Sequence, residues 1–327
     1  MLASLFKWPV LSGVLSVLMY LPAAWAADAA SVNDWLDLMN RSMRQQNYQG
    51  TLIIRQADKL QAIRVKQGVS AQGNWQTLES LTGENQKIIR HKGQVTTIFP
   101  GKKLVTISDD TAIAGETSPL HATLPDNYRE LKQYYAMKLA GEDRVADKSA
   151  QIIQIIPRDR HRYGYTYWLD KQTGILLKCD LMDEKGRILE QLMYSNIDLL
   201  PESPLSNIEE PALSHYKMIR LPREVESQRK HWRAGQLPDG FELSRFVEMP
   251  VETGAVSAYH IVYTDGMASV SVFIEQRDKM SKPVMGASSM GTVNAYSIYI
   301  NDAYITAIGE VPAATVRMIA QSMQPVQ

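Results

Sequence analysis

Apolar and polar positions alternate with a period of two along most of this chain, in short runs broken by glycine-bearing polar turns. The clearest stretch is Pro157 to Tyr194. Its first run puts Tyr163, Tyr165, Tyr167 and Leu169 on one face and Thr166 and Trp168 on the other. The second sets Ile175, Leu177, Cys179 and Leu181 against Leu176, Lys178, Asp180 and Met182, so one face is fully apolar. The breaks, Asp170 to Gly174 and Asp183 to Gly186, each end in a glycine that tolerates the left-handed backbone of short hairpin loops. Neither can host a crossover helix, so the pattern predicts an antiparallel meander.

The period changes at three places. Near the start, Ser31 is placed to cap a helix running to about Gln46, with Val32, Trp35, Leu36, Met39 and Met43 as its apolar stripe. Five or more short strands follow from Tyr48 to Ser108. A helix-like insertion then has Pro125 early, Tyr128, Leu131, Tyr134, Tyr135 and Met137 as apolar contacts, and Gly141 as its stop. Strands resume with SAQIIQII and run through the meander to about Ile197.

Between Asn196 and Trp232 the alternation fades and Pro201, Pro204, Pro211 and Pro222 punctuate the chain. We read residues 207–232 as a linker between a first domain, 27–206, and a second, 233–327. The second domain has five strand-like runs, with Asp265-Gly266 and Asn301-Asp302 as tight turns. A final helix has Pro312 in its first turn and Val316, Ile319, Ala320 and Met323 on one face. Asp278 to Gly291, rich in Ser, Gly and Met, reads as a flexible loop. The fold class is therefore α+β: a strongly curved antiparallel sheet with helices, then a smaller antiparallel sheet covered by one helix.

The length of 327 residues agrees with two domains. Lys and Arg total 35 and so do Asp and Glu, so no net field recruits nucleic acid. Lys7, the apolar run Val10 to Leu21 and Ala24-Trp25-Ala26 form a secretory signal peptide, 1–26, with a mature start near Ala27. Cys179 is the single cysteine, so the chain has no internal disulfide, and its place on an apolar strand face predicts a buried thiol.

No catalytic or metal constellation emerges. The histidines are scattered, without HExxH or zinc-ligand spacing. Gly286-Ala287-Ser288-Ser289-Met290 lacks the second glycine of a nucleophile elbow, and no phosphate-binding glycine pattern is present. Paired acids such as Asp109-Asp110 and Asp183-Glu184 sit in predicted turns. The expectation is a binding protein, without enzymatic activity or cofactor.

Two blocks carry a family resemblance: RYGYTYWLD, GILLKCDLMDEKG and ILEQLMY in the meander, and LPDGFEL, YTDGMASVSVFIE, MGTVNAYSIYI and IGEVPAATVRMIAQSMQP near the C-terminus. The chain resembles the MucB/RseB family of periplasmic regulators of envelope-stress sigma-factor signalling. That resemblance implies an N-terminal unclosed β-barrel like those of the lipoprotein carriers LolA and LolB. It also implies a partner, the periplasmic segment of a transmembrane anti-sigma factor, shielded from proteolysis while bound. Lipid or lipopolysaccharide is the implied displacing ligand, and a homo-oligomer is a further association to be tested. The alternative is a periplasmic carrier or sensor of a lipophilic molecule. For it, Leu52, Ile54, Ile63, Val65, Ile175, Leu177 and Leu181 are candidate lipid-facing residues. For the regulator, Lys217, Arg220, Arg223, Arg229, Lys230 and Arg233 form a basic run beside the second domain, a candidate docking patch for an acidic or amphipathic segment. The second domain favours the regulator, since a carrier has no need of it.

Overall fold

Helix α1 (Val32–Gln45) starts at a capping box. Ser31 Oγ accepts from Asp34 N at 3.3 Å, and the Asp34 carboxylate accepts from Ser31 N at 2.8 Å. These positions come from a computed structural model that describes residues 31–70, 73–109, 124–125, 127–203, 215–221, 227, 231–249, 258–276 and 284–326. The expected leader lies outside them. Leu36, Met39 and Met43 of the predicted stripe are buried, and Val32 and Trp35 pack against the same core.

Eleven strands follow: β1 (Tyr48–Gln56), β2 (Lys59–Ser70), β3 (Gly73–Ser80), β4 (Lys87–His91), β5 (Gln94–Phe99), β6 (Leu104–Asp109), β7 (Tyr135–Val145), β8 (Lys148–Pro157), β9 (Gly164–Asp170), β10 (Leu176–Met182) and β11 (Ile188–Leu199). With β12 (Lys217–Arg220) they form one sheet among the described residues, in the order β12-β6-β5-β4-β3-β2-β1-β11-β10-β9-β8-β7. Leu78 in β3 and Tyr135 in β7 share one hydrophobic core although seven strand spacings, roughly 33 Å in a flat sheet, separate them. The sheet therefore curls around that core. Its end strands, β7 and β12, do not pair with each other, so the barrel is unclosed.

The meander forms as the alternation predicts. Cys179 opposes Tyr167 and Leu181 opposes Tyr165 across β9 and β10, and all four are buried. Strand β9 is buried at every position. On its second face Trp168 lies under the Lys178 ammonium, 3.7 Å from the ring centroid, and donates to Asp143 at 2.9 Å. Gly174 (φ +75°) turns the β9–β10 loop where a Cβ would run into Leu38 of α1.

Three expectations are corrected. The helix expected from Pro125 to Gly141 is a short 3-10 turn, Tyr128–Gln133, after which β7 begins. The reason is strand pairing: β7 bonds to β8 in a long hairpin, and Gly141 (φ +98°) sits at a register shift, not at a helix stop. The linker span contains a strand, β12, which joins the first sheet parallel to β6, the one parallel pairing among the described strands. Part of the loop expected over 278–291 is β17 (Gly286–Met290), paired antiparallel with its successor; residues 277–283 lie outside the described ones.

The second sheet contains β14 (Glu242–Met249), β15 (Ala258–Thr264), β16 (Ser269–Gln276), β17, β18 (Val293–Ile300) and β19 (Ala303–Gly309), in the order β14-β15-β16-β19-β18-β17. Helix α2 (Ala313–Ser322) covers β18 and β19 with Val316, Ile319 and Ala320. A ribbon of β13 (Trp232–Ala234) and β20 (Met323–Pro325) closes the end. This sheet and α2 bury a second core, distinct from the first.

The first core is rich in tyrosine, and this sets an alkaline limit. Burial pushes the Tyr48 phenol up to about 12 and those of Tyr165, Tyr167 and Tyr194 well above their ordinary range. A folded-state value above the unfolded one favours the protonated phenol, so the contribution is intact below about pH 10 and declines as pH climbs through the folded values. Denaturant titrations at stepped pH are expected to show a constant midpoint from these groups up to about pH 10 and a falling one towards 12. The phenolate absorbance of these four buried tyrosines should appear together with unfolding.

Candidate functional site: the seam between the sheets and the flanking docking residues

The two sheets meet at the loop between β8 and β9, residues 158–163. Its centre is Arg162, 1% exposed. Arg162 Nη1 donates to Asp265 Oδ2 at 2.6 Å and Nη2 to the Asp239 carbonyl at 2.6 Å, both in the second domain. Nε donates to Asp159 Oδ1 at 3.2 Å within the loop, and Nη2 lies 3.0 Å from Asp159 Oδ2. Tyr134, Tyr135 and Phe241 surround the cation, with ring centroids 5.2, 5.4 and 5.2 Å away.

Asp265 is held for this role by the β15–β16 turn: its Oδ1 accepts from Met267 N at 2.8 Å and Ala268 N at 2.7 Å. Its Oδ2 also accepts from Tyr135 O–H at 2.9 Å, and burial together with the Asp265 charge drives the Tyr135 phenol well above its usual range. Gly240 (φ +82°) allows the Asp239 loop to lie against Tyr134, where any Cβ would collide with the ring.

Most of the other contacts across the seam are polar. Asn294 Nδ2 donates to Tyr163 Oη at 3.0 Å, Thr315 Oγ1 to the His161 carbonyl at 2.9 Å, and Gln56 Nε2 to Thr292 Oγ1 at 3.1 Å. Gln56 also reaches Glu190 at 3.0 Å, while Thr292 bonds to Glu310. Met267, from the β15–β16 turn, packs on the first core.

The candidate docking residues divide between the sheets. Lys217 and Arg220 are exposed on β12 at the edge of the first sheet. Lys217 N donates to Lys103 O and Leu221 N to Ile107 O, each at 2.8 Å, so alternate backbone groups of β12 face away from β6. Met218, Ile219 and Leu221 are exposed beside them. Arg233 is exposed on β13, beside the second core. Arg223, Arg229 and Lys230 lie outside the described residues.

The candidate lipid-facing residues do converge. Leu52, Ile54, Val65, Ile175, Leu177 and Leu181 are buried in the first core and Ile63 packs against it. Where Leu52 and Leu177 meet Cys179, Leu192 and Tyr194, the open space is about 10 Å³, room for one water. Tyr194 stacks edge-to-face on Tyr48, ring centroids 6.3 Å apart, and both hydroxyls are buried. Among the described residues no group of three or more His, Cys, Asp or Glu side chains is arranged to hold a metal ion.

The seam is what sequence reasoning missed. Asp265-Gly266 reads as a turn, and nothing local says that its carboxylate meets an arginine 103 positions away. The available signal was Arg162 itself, a cation at the start of a strand whose every side chain is buried.

Two family models match, the MucB/RseB N-terminal domain over residues 31–214 and the MucB/RseB C-terminal domain over 226–324. The chain belongs to the MucB/RseB family. It is 30% identical to the sigma factor AlgU regulatory protein MucB of Pseudomonas aeruginosa, over 95% of this chain and 96% of that one. It is 25% identical to the sigma-E factor regulatory protein RseB of Haemophilus influenzae, over 97% and 99%. Among solved structures, MucB in complex with MucA(peri) superposes with a TM-score of 0.70 at 25% identity, covering 90% of this chain and 99% of that one. MucB alone gives 0.64 at 27% identity, covering 90% and 98%. The MucB/RseB fold thus accounts for both sheets here.

Because the interior of the first sheet is occupied by its own side chains, truncating them should leave a void. Leu177→Ala is expected to destabilise by about 2 to 5 kcal/mol in denaturant titration. A cost near zero would mark Leu177 as lining a hollow.

Proposed function

We propose that this protein is a periplasmic regulator that binds the periplasmic segment of a membrane-spanning anti-sigma factor, shields it from proteolysis and so restrains release of an envelope-stress sigma factor. The observation that carries the reading is the kinship along both domains with MucB, solved in complex with MucA(peri). The leader-like first 26 residues support the periplasmic location. The activity is binding and not catalysis: interface burial supplies the energy, and occlusion of the segment is the effect.

The docking surface we assign uses both domains. On the first sheet, β12 offers an exposed edge with Lys217 and Arg220, suited to an extended acidic segment that adds as a strand. Along the sequence, Arg223, Arg229, Lys230 and Arg233 continue the basic run after Arg220. A lipophilic ligand as the release signal would have to displace side chains around Leu52 and Leu177, where the open space is about 10 Å³.

Exposed charge pairs contribute only about 0.2 to 1 kcal/mol each, so single substitutions are expected to be silent. Reversing Arg220, Arg223 and Arg229 to Glu together should weaken binding to an immobilised periplasmic anti-sigma segment at least tenfold, about 1.4 kcal/mol. Most of the loss should be slower association at low salt. Unchanged affinity and association rate at two salt concentrations would remove the basic run from the interface.

A further inference from the structure

We propose that Arg162 is an orientation latch between the two sheets, and that the anti-sigma segment docks on the latched arrangement. The second half rests on the reading above, in which the segment touches both domains.

The inference starts from what holds the sheets together. Each sheet has its own core, and the two are separate clusters, with Met267 of the β15–β16 turn reaching from the second sheet onto the first core. Apolar burial is non-directional and, apart from that contact, is satisfied within each sheet, so it chooses only weakly how one sheet sits on the other. The seam makes that choice through hydrogen bonds. Those of Gln56 with Thr292, Tyr163 with Asn294 and the His161 carbonyl with Thr315 join neutral groups, each of modest net contribution.

Arg162 is different in kind. A guanidinium presents its N–H groups in a rigid planar fork, and here the fork is filled from both sides: by Asp159 of its own loop, and by Asp265 and the Asp239 carbonyl across the seam. The side chains of Arg162 and Asp265 are each 0% exposed. Rotating one sheet on the other takes Asp239 and Asp265 off the fork together and leaves a buried cation facing rings. Only one relative orientation satisfies all three acceptors, so the pair selects it. A binding surface built from both sheets is complete only while that selection holds, and its apparent affinity scales with the latched fraction.

The test uses the full-length mature chain with spin labels at Arg144→Cys and Met290→Cys, one exposed site on each sheet, and the buried Cys179 left in place. The unsubstituted seam is expected to give one narrow inter-label distance distribution. Arg162→Met and Asp265→Asn should each broaden or shift it, while amide protection in β9 and β15 persists. Arg162→Lys should fail to restore the narrow distribution, because a point charge lacks the fork. Both Arg162→Met and Asp265→Asn should bind the immobilised anti-sigma segment at least tenfold more weakly.

A narrow, unshifted distribution in Arg162→Met overturns the latch, as does rescue by Arg162→Lys. Loss of amide protection throughout both sheets in Arg162→Met and Asp265→Asn also overturns it, since the pair would then be holding up the fold and not an orientation. A broadened distribution with unchanged affinity overturns the dependence of docking on the latch. Absence of binding by the unsubstituted protein refutes the regulatory reading instead, and the distance measurements stand apart from it.

Discussion

Burying a guanidinium against a carboxylate takes two charges out of water, and Arg162 and Asp265 bear that cost fully. Their attraction offsets it only because the remaining donors and acceptors are also met: Asp159 and the Asp239 carbonyl on the arginine, Tyr135 and two backbone N–H groups on the aspartate. Removing either partner alone strands the other charge, a penalty of order 3 to 5 kcal/mol at buried sites. Much of the local architecture serves this pair. The positive φ of Gly240 brings the Asp239 loop against Tyr134, and the turn after β15 presents Asp265.

Around that pair the molecule divides its labour. Apolar burial folds each sheet: a curled, unclosed one around a tyrosine-rich core, and a smaller one under α2. Polar contacts join them. Such a seam contributes little net stability, because each bond replaces one with water, but it is directional and fixes geometry. A protein that must present one surface made from two sheets gains from that combination, since the orientation of the sheets can be biased without disturbing either core.

The two candidate binding features differ in readiness. The β12 edge turns alternate backbone groups away from β6 and exposes Lys217 and Arg220 as it stands. Around Leu52 and Leu177 the inner face of the curled sheet is closely packed, so a lipophilic ligand entering there has to displace side chains. Segment binding and lipid entry are therefore different kinds of event, one at a ready edge and the other a repacking.

Elements built from local periodicity were legible in the sequence. The meander, its two glycine turns, the capped helix with its Leu36, Met39 and Met43 stripe, the buried Cys179 and the final helix all follow from spacing and turn chemistry, which act over a few residues. The family was legible too, from motifs in the central meander and near the C-terminus. Tertiary structure decided the rest. Tyr134 to Gly141 carries helix-like spacing, yet the β7–β8 hairpin recruits it as strand, because ladder bonds to the next strand outweigh weak helix preference. Lys217 to Arg220, in a proline-punctuated stretch, became a strand only because β6 offered an edge. Arg162 and Asp265 carried no sign of each other, since an ion pair across 103 positions leaves no period, turn or motif in a chain and exists only once two separately patterned sheets are brought together.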